Sequence, residues 1–242
     1  MNNSSGVAQS SRAAITLQHV SYLYHKYQED LRTVRKEQQE FRTSYPKMKT
    51  QVDDLEAEIT YLLLREERPA TVVEIGSLHG WSTTWILRAL RDNRAGALVT
   101  HDLIDNARHN VPAELAEGRW TFVPGNARKT LRGHRHSIDH LFIDAAHTAP
   151  FARWFVGDLF PTVRAGTTVS VHDVFHRRRP WPVSEGRVVL SWLANNGAGY
   201  FTPSRLAAAQ VNRELKELKQ RLGLLKPIHD GRDDPMLFFR MP

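Results

Sequence analysis

Cysteine is absent from the 242 residues, which removes disulfides, thiolate metal sites and cysteine nucleophiles together. Long apolar runs are missing as well. Nothing approaches the roughly 18 residues that an apolar helix needs to cross a bilayer. The opening Met1-Asn2-Asn3-Ser4-Ser5-Gly6-Val7 has neither the basic segment nor the apolar stretch of a secretory leader. A cytoplasmic protein with no membrane partner is expected. Internal repeats are lacking, and low complexity is confined to residues 1–12, read as a disordered tail. The remainder is ordinary globular composition, 41% hydrophobic and 24% charged, enough for one α/β domain with an appendage or two small domains.

The formal charge of +7 is unevenly placed. Through Arg68, ten Lys/Arg balance ten Asp/Glu, whereas the remainder holds 23 against 16. Local clusters lie at 128–136 and at Arg177-Arg178-Arg179. Such clusters suit nucleic acid or an anionic substrate, and equally a solvated basic surface.

Two regions differ in period. In 13–68, apolar or aromatic residues recur at alternating steps of four and three: Val20, Tyr24, Tyr27, Leu31, Val34, Gln38, Phe41, Tyr45, Met48, Val52, Leu55, Ile59 and Leu62. Gln38 is the one polar member. A heptad stripe predicts a helical arm that buries a narrow seam against another helix. Pro46 interrupts it, so a kink is expected there, or two helices with Thr43 or Ser44 capping the second. The arm reads as a homo-oligomer interface or a lid, and equally as helices packed on their own domain. From 69 to 242, short β-branched runs alternate with helical segments. Strands are predicted at 71–75, 97–101, 120–123, 138–143, 167–171 and 236–240, with helices at 81–91, 151–163 and 204–222. That alternation predicts a Rossmann-like, mostly parallel sheet covered on both faces.

The first strand ends at Glu74-Ile75-Gly76-Ser77-Leu78-His79-Gly80-Trp81-Ser82. Gly76 permits a turn that a β-carbon would obstruct, and Gly80 permits close approach. The helix that follows presents its free N–H groups to the turn. The glycine spacing is not the dinucleotide fingerprint. Two further strands end in His101-Asp102 and, after Phe122-Val123, in Gly125-Asn126-Ala127. An acid at the first can accept from both hydroxyls of a ribose. At the second, a backbone N–H and the Asn126 side chain can read an adenine edge.

With Val72 and Val73 before it, this segment resembles the first motif of class I S-adenosylmethionine-dependent methyltransferases. It is nearest to the branch holding catechol- and caffeoyl-CoA-type O-methyltransferases and bacterial biosynthetic relatives. The resemblance covers about 71–174. It implies a seven-stranded sheet whose last strand is antiparallel. It also implies that the turn (Glu74, Gly76, Ser77, Gly80) holds the methionine portion of S-adenosylmethionine, with Ser82 helping to hold its carboxylate. Asp102 would bind the ribose, and Asn126 and Ala127 would line the adenine.

Two strand ends carry the remaining chemistry: Phe142-Ile143-Asp144-Ala145-Ala146-His147 and Ser170-Val171-His172-Asp173-Val174-Phe175-His176. Asp144 and Asp173 would meet at one sheet edge, suited to Mg²⁺ or another divalent cation that lowers the pKa of a substrate hydroxyl. His147 can remove the hydroxyl proton, and Asp144 is counted with both the catalytic and the cofactor-binding set. The resemblance implies aspartate ligands at Asp144 and Asp173, and a catalytic lysine or histidine at the place of His147. Metal-dependent relatives have an asparagine where Val174 stands, so the third ligand would fall to His172, His147 or water. The expected activity is O-methylation of a small-molecule hydroxyl, natural-product or sugar-like, in biosynthesis. Methylation of a peptide or RNA is the alternative, with nucleic acid disfavoured because no Asn-Pro-Pro-Tyr-like segment or RNA-binding module is present. A non-catalytic interaction protein with a vestigial fold is the third reading.

Overall fold

Among the described residues, three helices precede the first strand: α1 (Leu17–Lys26), α2 (Gln28–Ser44) and α3 (Asp54–Glu67). The computed structural model describes residues 14–132, 137–175, 178–229, 231 and 233–242. The tail 1–12, His176, Arg177 and part of the basic run 128–136 lie outside the described residues. Helix α2 stops at Ser44 because a residue next to a proline resists helical geometry, and 45–53 form a linker. Thr43 and Ser44 do not cap the next helix. They donate backwards to the carbonyls of Gln39 and Glu40. Asp53 opens α3 in a capping box, and Glu56 accepts from the Asp53 N–H at 2.8 Å.

The heptad stripe is spent on the chain's own domain. Val20, Tyr24, Leu31, Val34, Phe41, Leu55, Ile59 and Leu62 are buried in one cluster with Trp81, Trp85, Leu215 and Phe238. Gln38 is fully buried and accepts from Arg88 Nε at 3.0 Å. Of the readings open for the stripe, an oligomer interface, a lid or packing on its own domain, the burial is that of the last, and the change of period near residue 68 does not divide the core.

The sheet contains β1 (Thr71–Ile75), β2 (Ala97–Asp102), β3 (Trp120–Pro124), β4 (His140–Ile143), β5 (Thr168–Val171), β6 (Tyr200–Phe201) and β7 (Leu237–Arg240), in the order β3-β2-β1-β4-β5-β7-β6. All pairs are parallel except those of β7, which runs against both neighbours. Strand β6 escapes the sequence reading because two residues have no period. The six predicted strands appear within a residue or two of their expected bounds. Crossovers are made by α4 (Trp81–Asn93), α5 (Asn106–Asn110), α6 (Ala113–Ala116), α7 (Ala127–Thr130), α8 (Ala149–Trp154), α9 (Glu185–Asn195) and α10 (Ala209–Arg221). The helix expected over 151–163 breaks into α8, a π turn at Phe155–Leu159 and a 3₁₀ turn at Phe160–Thr162. Pro161 has no N–H to return to Gly157, so the α pattern cannot continue. The helix expected from 204 starts five residues later, after Ser204 turns the chain by accepting from Ala207 and Ala208.

Each sheet face has its own core. The three N-terminal helices, α4 and α10 pack on one; Phe151, Phe155, Phe160, Val189 and Leu193 pack against Val169 and Phe239 on the other. The strand order reverses between β1 and β4, so a crevice opens at their carboxyl ends.

Candidate active site

Gly76 adopts φ +87° immediately after β1 and donates to the His101 carbonyl at 2.9 Å. A β-carbon there would lie 1.9 Å from the Asp144 carbonyl oxygen. The glycine thus lets the turn run against the end of β4. Gly80, at φ +90°, starts α4 but packs on Val111, 2.9 Å from where its β-carbon would be. It serves helix packing and does not line the crevice. Asp102 closes over the turn: its Oδ2 accepts from the N–H of Ser77 (2.6 Å) and of Leu78 (2.8 Å). The amides expected to be offered to a ligand carboxylate are therefore held by Asp102.

Glu74 and Ser82 also stand behind the turn. The Glu74 carboxyl is fully buried and accepts from Ser82 Oγ (2.7 Å), Thr83 Oγ1 (2.8 Å) and Thr100 Oγ1 (2.7 Å). Burial pushes its pKa up to about 7 against the pull of those three hydroxyls. This cluster ties the first turn of α4 to β1 and β2. Ser82 is thereby turned away from the crevice.

The crevice is a cleft of about 430 Å³, within the size range of small-molecule sites. Gly76, Ser77, Asp102, Asn126 and Ala127 line it on the side of β1 to β3, while Asp144 and His147 line it from β4. Asn126 Oδ1 accepts from the Arg128 N–H at 3.0 Å. That oxygen caps α7 and is not free to read a base edge. Gln51 from the linker between α2 and α3 reaches the cleft too, so the N-terminal segment both supports the core and borders the site.

His147 sits at φ +47° with its ring surrounded by acids. Nε2 is 3.4 Å from Asp144 Oδ1 and 3.4 Å from Asp173 Oδ2. Nδ1 is 3.2 Å from Glu185 Oε2. Burial opposes its charge, yet the Glu185 hydrogen bond and the Asp173 and Asp144 charges hold its pKa above the ordinary value. Behind it, His172 Nδ1 is 3.2 Å from Asp144 and 3.1 Å from Asp173, and Nε2 is 3.2 Å from Glu56 Oε2. Burial again opposes the charge, but Asp144 and Glu56 outweigh it and lift this pKa well up. Asp144 is held below its usual range: burial works the other way, and the His172 and His147 charges prevail.

Residues 73–174 match the family model of a methyltransferase domain. Solved structures share the chain's fold. An O-methyltransferase from Bacillus cereus in complex with SAH is 16% identical with TM-score 0.57, over 94% of this chain and 100% of that one. The methyltransferase PaMTH1 of Podospora anserina, bound to SAH, is 18% identical with TM-score 0.53, over 86% and 88%. TomG of Streptomyces achromogenes, an O-methyltransferase of tomaymycin synthesis solved with SAM, is 17% identical with TM-score 0.52, over 96% and 93%. None of the curated proteins matches the chain.

Glu185 and Glu56 are the site residues that sequence reasoning missed. Glu185 is the first residue of α9, capped by Ser184, and a bridge between Thr148 and Ser184 brings it beside His147. Glu56 comes from the first turn of α3. Both signal themselves in sequence only as helix-opening acids.

The residues expected to hold a metal, Asp144, Asp173 and His172, do converge: His172 Nδ1 lies 3.2 Å from Asp144 Oδ1 and 3.1 Å from Asp173 Oδ1. Val174, at the place of the third ligand, is buried and apolar. Among the described residues no group of three or more acids and histidines could hold a metal ion. No helix of the described residues is long and apolar enough to cross a membrane.

Proposed function

We propose that this chain transfers the methyl group of S-adenosylmethionine to a hydroxyl of a small biosynthetic molecule, with His147 as the base. One arrangement carries the reading: an open cleft at the carboxyl ends of β1, β2 and β4 terminates in an imidazole whose far nitrogen is anchored by a buried carboxylate. Support for the cofactor comes from the fit. Gly76 lines the cleft at the end of β1, Asp102 stands at the end of β2, and Asn126 and Ala127 form the wall beyond. The fold neighbours described as SAH- or SAM-bound O-methyltransferases point the same way.

Gly76, Ser77, Asp102, Asn126 and Ala127 would hold S-adenosylmethionine, which would supply a methyl group on a sulfonium sulfur able to depart with the carbon–sulfur electron pair. The residues have to align the acceptor, exclude water and take one proton. Glu185 accepts from Nδ1–H and so leaves Nε2 of His147 as the basic nitrogen. That nitrogen takes the hydroxyl proton, and Asp144 and Asp173 beside it favour the imidazolium that results. The raised pKa makes His147 a stronger base, and the neutral form needed for turnover gains population as pH rises.

The test is calorimetry with S-adenosylhomocysteine together with turnover on a panel of phenolic and sugar acceptors. His147→Ala should bind S-adenosylhomocysteine as the parent does and lose about 10²–10⁴ in turnover. Undiminished turnover would remove His147 from the mechanism, and absence of binding would remove the cofactor.

A further inference from the structure

We propose that the pocket beside the cleft, between the linker 45–53 and α5, is an anion subsite that receives a carboxylate of a small molecule lying in the cleft. The inference rests on the methyl-transfer reading for the identity of that molecule, and the pocket itself does not depend on it. It measures about 370 Å³. The two hollows share a rim. Of the linker, Gln51 borders the cleft while Lys47 and Met48 border the pocket. Of the turn, Leu78 borders the cleft and its neighbour His79 the pocket.

The charge of the pocket is of one sign. None of the described residues that line it is an acid. Among the described residues, the Lys47 and His79 side chains have no hydrogen-bond or ion-pair partner. The third basic residue, His109, has only the exposed Asp105, 4.0 Å away. Asn110 Nδ2 donates to the His79 carbonyl at 3.0 Å and so fixes the backbone that carries the ring. An ammonium offers three donors and an imidazole at least one, and here nothing in the chain takes up those of Lys47 and His79.

The cleft has the converse lack at its β1 end. The amides of Ser77 and Leu78 already serve Asp102, and the Ser82 hydroxyl serves Glu74. Its permanently charged cation, Arg128, follows β3, two strands away, and lies 5.7 Å from the Phe151 ring. A carboxylate kept beside Gly76 would face Asp102 and Asp144, both like charges. Turned over the rim of Leu78 and His79, it meets Lys47 and His79 instead, as charge-assisted hydrogen bonds. Two molecules can bring it: S-adenosylmethionine through its amino-acid end, or an acceptor that carries a carboxylate.

The experiment uses the full chain and its Lys47→Gln and His79→Gln variants. Lys47 is exposed and neither side chain holds another in place, so both variants should melt with the parent. Calorimetry compares S-adenosylhomocysteine with 5′-methylthioadenosine, the same nucleoside thioether without the amino-acid end. If the cofactor brings the carboxylate, each variant weakens S-adenosylhomocysteine about fivefold and leaves methylthioadenosine unchanged. If the acceptor brings it, both nucleosides bind as to the parent, and KM rises about fivefold for carboxylated phenols alone. Acetate at constant ionic strength should shift the His79 ring signals of the parent, and less so those of Lys47→Gln. Equal weakening of both nucleosides, no change with any probe in a chain that binds them, or His79 signals unmoved by acetate would each overturn the subsite. A chain that binds neither nucleoside loses the methyltransferase reading, while the acetate titration still decides this one.

Discussion

Replacing Gly76 with alanine loads two separable costs onto one methyl group. The first is conformational: at φ +87° an L-residue carries about 1–2 kcal/mol of backbone strain. The second is contact. The new β-carbon would lie 1.9 Å from the Asp144 carbonyl oxygen and 2.7 Å from its carbon. Both are main-chain atoms at the end of a central strand, so no flexible side chain can yield. Overpacking of that kind costs about 1–3 kcal/mol, and the rigid neighbour argues for the upper end. Together the substitution should destabilise by about 2–5 kcal/mol. For a chain of this size each kcal/mol lowers the melting temperature by about 2–4 °C.

Gly118 supplies the control. It also has positive φ, +70°, but its β-carbon would meet nothing within 4 Å. Gly118→Ala therefore carries the backbone cost alone, about 1–2 kcal/mol. Thermal unfolding of both variants, followed by circular dichroism, isolates the contact, and calorimetry with S-adenosylhomocysteine reads its effect on the cleft. Gly76→Ala should be the less stable and should bind more weakly, because relief comes only by pushing the turn and the Asp144 segment apart. Equal melting temperatures, or unchanged affinity in Gly76→Ala, would refute the claim that this glycine exists for the close approach.

Other perturbations have equally definite signs. Glu185→Gln removes a charge that raises the His147 pKa, so the acid limb of the pH–rate profile should move to lower pH while the plateau falls. A limb that stays put or moves upward would deny that Glu185 is ionised against His147. The Glu74 carboxyl keeps its proton in the folded state up to about 7, against an ordinary value of 4.5. Its stabilising contribution is complete below the lower figure and is lost as pH rises through the upper one. Urea midpoints of Glu74→Gln should lack that decline across the window. Phe41→Ala removes a buried ring stacked on Trp81 with centroids 6.4 Å apart and should cost about 3–5 kcal/mol in denaturant unfolding. A cost near zero would mean that the N-terminal helices fold independently of the sheet.

What could be read from sequence, and what could not, divides along the range of the interactions. The run Thr71 to Ile75 followed by Gly76 announces a buried strand and a left-handed turn because both are decided within a few residues. The same local signal could not say which way Ser82 points. Lying in the first turn of α4, it faces the crevice or the underlying strand according to helix rotation, and Glu74 beneath it, with its need for donors, settles the matter. Glu185 and Glu56 were hidden for the opposite reason. They lie 38 and 116 positions from the histidines they meet, and each already had a complete local explanation as a helix-opening acid. A carboxylate that caps in sequence can serve a distant imidazole in space.

The N-terminal stripe shows how far periodicity goes. A repeat of three and four specifies a face, but the partner of that face is set by what else the chain must bury. Gln38 carried the clue. A lone polar residue in an apolar seam is costly unless something answers it, and Arg88 on α4 does so from within the same chain. With that face consumed, α3 is fixed against the sheet, and its first turn delivers Glu56 to His172 at 3.2 Å. A helix that the repeat left open as an interface, a cover or packing on its own domain thus brings a carboxyl group beside His172. Removing it would therefore be expected to disturb the state of His172 as well as the core.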